Sequence, residues 1–327
     1  MAIERISAIV FPGGFNLPLW TAMAHGFLRA RDIELDLAYT ANSVEQLAGL
    51  ITGKWDIGLT AFDNIVAYAE GQGEQPVEGE PDLFAFMGGD NGFLRLVVLP
   101  EIQADTDLRG KTLSVDAMTT GFAFVLRKML ALNGVRESEV TFERAGGALQ
   151  RFQALQARKH AGTLLVTPFE LMGAASGLRV LQSACDLLPH YQGISGTARR
   201  AWARANRDLL VRFIQAYLEA LDWLYRSDNR ANARDLLLKH VPTLGQEIAQ
   251  ATCDILLAAR LAFIPRRGSM MKAQPRCCGC EPNTHNRRNF SHSPKNIYGC
   301  YCSLAPFGFG LSAVAPLRRW RRRKKAH

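Results

Sequence analysis

A pattern that begins at Ser7 begins again about 105 residues later, and this echo limits the fold more than any single motif. In the first copy an apolar strand, Ser7-Ala-Ile-Val-Phe11, meets a Pro12-Gly13-Gly14 turn and an apolar helix over 17–28. A short strand over 33–37, a helix ending at Gly53, the strand Asp56-Ile-Gly-Leu-Thr60 and a helix toward Gly71 follow. In the second copy the strand Thr112-Leu-Ser-Val115 leads to a turn at Met118-Thr-Thr-Gly121, a helix to Leu132 and a strand from Val140. Leu155-Gln-Ala-Arg158, a strand over 163–167 and a helix toward Gly177 close it. Few residues are identical, so the order and spacing of elements carry the match. Alternating strands and helices imply parallel βαβ units. The expected fold is α/β, with two similar lobes, mainly parallel sheets and a cleft between them. Clefts between domains are where small ligands bind.

The Gly88-Gly-Asp-Asn-Gly92 break, between strands over 83–87 and 94–99, reads as the first crossing between lobes. Tyr191-Gln-Gly-Ile-Ser-Gly196 reads as the return crossing. Lobe one is therefore expected over 1–88 plus 195–265, and lobe two over 92–190. The polar stretch 71–82 is expected to be a surface loop of lobe one. From Arg199 the pattern turns helical. Leu210, Phe213, Ile214, Tyr217, Leu218, Leu221 and Leu224 mark one apolar helical face. This helix and two more, over 232–239 and 246–259, are expected to pack on lobe one.

The net charge of +9 does not describe the folded part. Residues 266–327 hold 14 Lys and Arg against one acid, Glu281, which leaves the first 265 residues with 25 basic and 29 acidic side chains. No nucleic-acid role follows from a mildly acidic body. Five of the seven cysteines also fall in that tail, so Cys185 and Cys253 give the body no disulfide framework. After Pro265 periodicity stops. The tail 266–327 reads as an irregular Cys- and Arg-rich extension, out of frame or unselected, or else as a basic appendage. Met1-Ala-Ile-Glu-Arg-Ile enters a strand without a basic or apolar leader, so no export signal is expected at this start. No apolar run reaches the roughly 20 residues that span a bilayer.

Four motifs then point to a family. Pro18-Leu-Trp-Thr-Ala-Met-Ala-His-Gly-Phe27 resembles the opening helix of substrate-binding proteins of ABC importers, in the group that binds sulfonates, nitrate or thiamine pyrimidine precursors. Leu50-x-x-Gly53-x-x-Asp56-Ile-Gly is similar to that group's helix-to-strand motif, and Asp107-Leu-Arg-Gly-Lys111-Thr-Leu-Ser-Val to its entry into lobe two. Trp202-Ala-x-Ala-Asn206 and the helix through Trp223 are similar to its return segment. The resemblance covers about residues 5–265. It implies two lobes that close on a ligand, a membrane permease as partner, a periplasmic location, a monomer and no cofactor. The copies diverge where Asp56 is matched by Ala161, so Asp56 is expected to tether backbone rather than touch ligand.

Ligands of doubly wound lobes sit beyond strand carboxyl ends, near helix N-termini. In lobe one this selects Phe11, Gly13, Gly14, Asn16, Trp20, Thr60, Phe62 and Asp63. Trp20 is a candidate for stacking on a planar ligand, with core packing the competing role. In lobe two it selects Thr119, Thr120 and Gly121, the strongest candidates, together with Thr167, Phe169 and Glu170. Tyr191 is expected at the hinge or lid. The rim is rich in aromatics (Phe11, Phe15, Trp20, Phe62, Phe122, Phe169) and lacks Arg and Lys. Sulfonate or nitrate sites want a cation or many donors, so a heterocycle or similar planar compound is favoured.

No nucleophile–base constellation stands out, and no metal site is expected. The chain is read as a non-catalytic binder of a small organic solute for an ABC importer. The alternatives are a thiamine-pyrimidine synthase-like enzyme on the same fold, which Cys277-Cys-Gly-Cys280 superficially resembles, and a cytoplasmic ligand sensor. A zinc site from Cys277, Cys280, Cys300 and Cys302 has one correctly spaced pair but lacks a regular surround.

Overall fold

The computed structural model describes residues 2–119 and 121–258. Chain order begins with β1 (Glu4–Val10), α1 (Leu17–Ala24), β2 (Ile33–Tyr39), α2 (Ser43–Thr52), β3 (Ile57–Ala61), α3 (Phe62–Ala69) and β4 (Leu83–Gly88). It continues with β5 (Arg95–Val98), β6 (Thr112–Val115), α4 (Phe122–Leu132), β7 (Thr141–Arg144), α5 (Ala148–Gln156), β8 (Gly162–Leu165), α6 (Phe169–Ala175), β9 (Arg179–Ser183) and α7 (Ala184–Leu187). The chain then returns through β10 (Ile194–Arg199) to α8 (Arg200–Ala205), α9 (Arg207–Leu224), α10 (Arg230–His240) and α11 (Gln246–Leu256).

These strands form two five-stranded sheets, ordered β2-β1-β3-β10-β4 and β7-β6-β8-β5-β9. The sheets are mixed. In the first, β1 pairs parallel with β2 and β3, while β10 pairs antiparallel with β3 and β4. In the second, β6 pairs parallel with β7 and β8, while β5 pairs antiparallel with β8 and β9. Each sheet thus has one reversed strand, and in each case it is the strand that has just crossed from the other lobe. Sequence periodicity missed β9, the edge strand of the second sheet. None of its five residues is buried, so it lacks the apolar run that marks a central strand.

Local chemistry explains the element ends. Asn42 caps α2 by accepting the Glu45 N–H at 2.7 Å, and Gly53 ends it with φ 82°, a left-handed position that suits glycine. Asp56 accepts the Ser7 N–H and Ser7 hydroxyl, each at 2.8 Å, and so ties the start of β3 to β1. This is the tethering role expected of it. The helix over 17–28 is shorter than its apolar run, because α1 stops at Ala24 and a turn follows.

The expectation for the last helices needs one correction. Helices α9 and α10 pack on α1 of lobe one, but α11 also rests on α6 of lobe two. Its Leu256 and Thr252 lie against Gly14. The tail over 266–327, its cysteines and the end of the predicted 246–259 helix at Ala259 lie outside the described residues, as does Thr120. Among the described residues no helix is long and apolar enough to cross a membrane.

Candidate functional site

The lobes meet crosswise. Gly14, in the first turn of lobe one, donates its N–H to the Thr167 carbonyl at 3.0 Å, in the second turn of lobe two. Asn64, in the second turn of lobe one, faces Gly121, in the first turn of lobe two. A Cβ on Gly121 would stand 2.9 Å from the Asn64 Oδ1. Matching turns of the repeat therefore do not face each other. Each turn meets the other kind. Further contacts extend the seam: Gly147 N–H to the Ala41 carbonyl at 2.7 Å, and Ser43 N–H to Asp116 Oδ2 at 3.1 Å.

Between these turns, at the foot of the cleft, lies a cavity of about 10 Å³. It is lined by Phe15, Asp90, Gly92, Phe93, Leu94, Phe122, Val166, Thr167, Gly193 and Ile194. That volume is about what one water needs. The two crossings form its floor, and Asp90 stitches them. Its Oδ1 accepts the Gly92 N–H at 2.7 Å and the Ile194 N–H at 3.2 Å, and its carbonyl accepts the Gly193 N–H at 3.0 Å. Burial pushes the Asp90 carboxyl up to about 6, against the pull of those two N–H groups. Beside it, Tyr191 donates its hydroxyl to Asp63 Oδ2 at 2.6 Å and so pins the return crossing to α3.

The predicted residues divide into three groups. Thr167 lines the cavity, together with the rim aromatics Phe15 and Phe122. Gly14, Gly121, Asp63 and Tyr191 lie at the seam or the return crossing, while the contacts of Gly13, Asn16 and Thr60 stay within lobe one. Asn16 is fully buried and donates to the Phe11 carbonyl at 2.7 Å and the Gly13 carbonyl at 3.2 Å. Thr60 accepts from the Asn64 amide at 2.8 Å. Glu170 is buried, with its Oε1 2.5 Å from the Thr167 hydroxyl, and burial raises its carboxyl pKa. Its Oε2, like the Asn16 and Asn64 Oδ1 atoms, has no hydrogen-bond partner among the described residues.

Other predicted residues are not among those that line the cavity. Trp20 is core: its indole donates to the Tyr39 hydroxyl at 2.8 Å and stacks on His240 with centroids 4.4 Å apart. Phe169 is buried in lobe two against Phe152. Phe62 packs on the small cluster around Ile9 and Leu47, and Phe11 lies beside Gly147. Thr119 is exposed, and its N–H and hydroxyl both serve Glu74 rather than an open cleft.

Glu74 and Arg144 were missed. Glu74 belongs to the polar stretch expected to be a plain surface loop of lobe one. Its carboxylate instead reaches the entry of α4, accepting from Met118 N–H at 2.7 Å, Thr119 N–H at 3.0 Å and Arg144 Nε at 2.6 Å. Burial works to raise its carboxyl pKa, but Arg144 and the two N–H groups outweigh it and hold the group below its ordinary value. The rim therefore does hold an arginine, supplied by the end of β7, and it is already paired. Glu74 gave no sequence signal, being one acid among several in a polar run. Asp90 had one: an acid inside a Gly-rich crossing.

The family described as NMT1/THI5 like matches residues 16–231 of this chain. A Brachyspira hyodysenteriae protein that carries the name of an ABC transporter periplasmic binding protein is 26% identical over 219 residues, 62% of this chain and 60% of that protein. The chain thus spans less than two thirds of the length of this curated relative. Among solved structures, the alkanesulfonate-binding protein SsuA of Xanthomonas axonopodis pv. citri, bound to MOPS, superposes with TM-score 0.65 at 18% identity, covering 77% of this chain and 84% of that one. The periplasmic nitrate-binding protein NrtA of Synechocystis PCC 6803 gives 0.67 at 12%, covering 75% and 69%. A Bordetella bronchiseptica RB50 protein gives 0.67 at 19%, covering 80% and 85%. At these identities the likeness is one of fold.

Proposed function

This chain belongs to the NMT1/THI5-like family, and from that premise we propose that it captures a small planar organic solute and delivers it to an ABC importer. The observation that carries the reading is the cavity at the lobe junction. Three aromatic rings, Phe15, Phe93 and Phe122, meet there with Thr167 and Asp90, and the described lining holds no Lys or Arg. Aromatic walls with few polar groups suit a flat, weakly charged or cationic ring. Alkanesulfonate and nitrate, named for two of the solved relatives, ask for cations or many donors.

The moving units would be lobe one, 1–88 plus 195–265, and lobe two, 92–190. The cavity of about 10 Å³ is far too small for a ring, so the lobes part to admit it and re-close upon it. A ligand that bridges both lobes stabilises the closed form only by its differential affinity for that form. The partners would be a membrane permease and the solute, the location the periplasm, and the working form a monomer without catalysis. Isothermal titration against pyrimidines and alkanesulfonates tests the ligand class. Binding of planar heterocycles supports the proposal; tight binding of simple alkanesulfonates with none of pyrimidines overturns it.

A further inference from the structure

The hinge uses only half of the Asp90 carboxylate. Oδ1 holds the N–H groups of Gly92 and Ile194, while Oδ2 has no hydrogen-bond partner among the described residues. The residue is 4% exposed and lines the junction cavity beside Phe93, Phe122 and Thr167. Among the described residues no cationic side chain compensates it. Arg95, at the start of β5, acts on Glu170 and Cys185 instead. The titratable groups that feel Asp90 from neighbouring elements are the Cys185 thiol of α7 and the Tyr217 phenol of α9. Burial raises both of their pKa values, so both are neutral near pH 7 and neither supplies positive charge.

A buried carboxylate without a cation is costly, and a bound cation removes that cost. A bound anion would add repulsion at the same place. We propose that Asp90 is the specificity-determining residue of the cleft, selecting planar ligands that carry a protonated nitrogen, such as an amidinium or an aminoheterocyclic cation, over anions. The inference rests on capture at the lobe junction and adds the charge of what is captured. The aromatic rings take the ligand's faces, and Oδ2 takes an N–H at its edge in a charge-assisted hydrogen bond. Of the other buried carboxyls nearby, Asp63 accepts the Tyr191 hydroxyl, and Glu170 is engaged by the Thr167 hydroxyl and lies within the influence of Arg95, so neither duplicates this role.

The test uses the full chain and planar probes matched in shape but not in charge: benzamidine, 4-aminopyridine, benzamide and benzenesulfonate. Thermal shift ranks them and calorimetry gives affinities, for the wild type and for Asp90→Asn. Asparagine keeps an Oδ1 acceptor for Gly92 and Ile194, so the crossing is retained. The two cations should bind best to the wild type and weaken tenfold or more in Asp90→Asn. For the wild type, a carboxyl titrating at about 6 predicts about tenfold weaker cation binding at pH 5 than at pH 7. The probe ranking and the pH profile need no variant, so a misfolded Asp90→Asn leaves the test intact. Preference for benzamide or benzenesulfonate, a flat pH profile, or full cation binding by Asp90→Asn overturns the role of Asp90 and leaves capture in the cleft standing. No response to any probe overturns both.

Discussion

The Glu74 carboxylate of lobe one lies against the Arg144 guanidinium of lobe two, with Nε at 2.6 Å, and the same carboxylate takes two backbone N–H groups at the entry of α4. The side chain of Glu74 is 6% exposed and that of Arg144 59%, so the contact is sheltered on one side only.

Glu74→Gln should therefore loosen the closed form. Hydrogen bonds to charged groups are worth about 1.5–3 kcal/mol each, less here because Arg144 is solvated. The expected readout is a larger radius of gyration by X-ray scattering, with the fold kept by circular dichroism. Because the Glu74 carboxyl is held below its ordinary value, its contribution is complete above the usual carboxylate range and disappears as the pH falls through the lowered value. Opening that is insensitive both to the substitution and to acid would show that the other seam contacts suffice.

Asp90 has the opposite sign. Its carboxyl rises from 3.8 to about 6 on folding, so the native state binds the proton more tightly and stability falls as the pH rises between those values. That interval corresponds to about 3 kcal/mol as an order of magnitude. Asp90→Asn should raise the melting temperature at pH 7.5 by several degrees and flatten the wild-type decline from pH 4 to pH 6. An equal or lower melting temperature at pH 7.5, with the slope unchanged, would contradict this.

Gly193→Ala should break the hinge. A Cβ there would stand 2.0 Å from Asp90 Oδ1 and 2.4 Å from the Gly92 nitrogen. Backbone cannot step aside as a side-chain tip can, so a loss of about 3 kcal/mol or more is expected in urea unfolding. A variant within about 1 kcal/mol of the wild type would show that the crossings can spread.

Trp20→Phe tests the reassignment of that indole to the core. It removes the hydrogen bond to Tyr39 and part of the stack on His240, and should cost about 1–2 kcal/mol of stability. Any solute that the protein binds should keep its affinity within about twofold. A large affinity loss with little loss of stability would return Trp20 to the site.

The echo at about 105 residues carried the architecture, because strand and helix order survives where identities do not. Gly14, Gly121 and Thr167 were legible as positions at the lobe junction because strand ends and helix starts converge in any two-lobe fold of this type. Trp20 and Phe169 misled for one reason: an aromatic one turn into a helix, or at its start, can point to the core as readily as to the cleft. Glu74 was illegible because its partner Arg144 lies 70 residues away and in the other lobe. Nothing local in a polar loop announces a distant guanidinium. The reversed strands β5 and β10 were likewise hidden, since direction within a sheet is set by where the chain crosses over rather than by composition.

The crosswise seam has a practical meaning for anyone who would graft this cleft onto another scaffold. Exchanging Phe15 and its neighbours for the matching turn at Phe122 looks conservative on paper, because the two occupy equivalent places in the repeat. In three dimensions it would set each turn against the second turn of the lobe it came from, with Gly14 and Gly121 both deprived of the partners they fit. A transplant would have to move Gly14 together with Thr167, or Asn64 together with Gly121, and treat each pair as the exchangeable part.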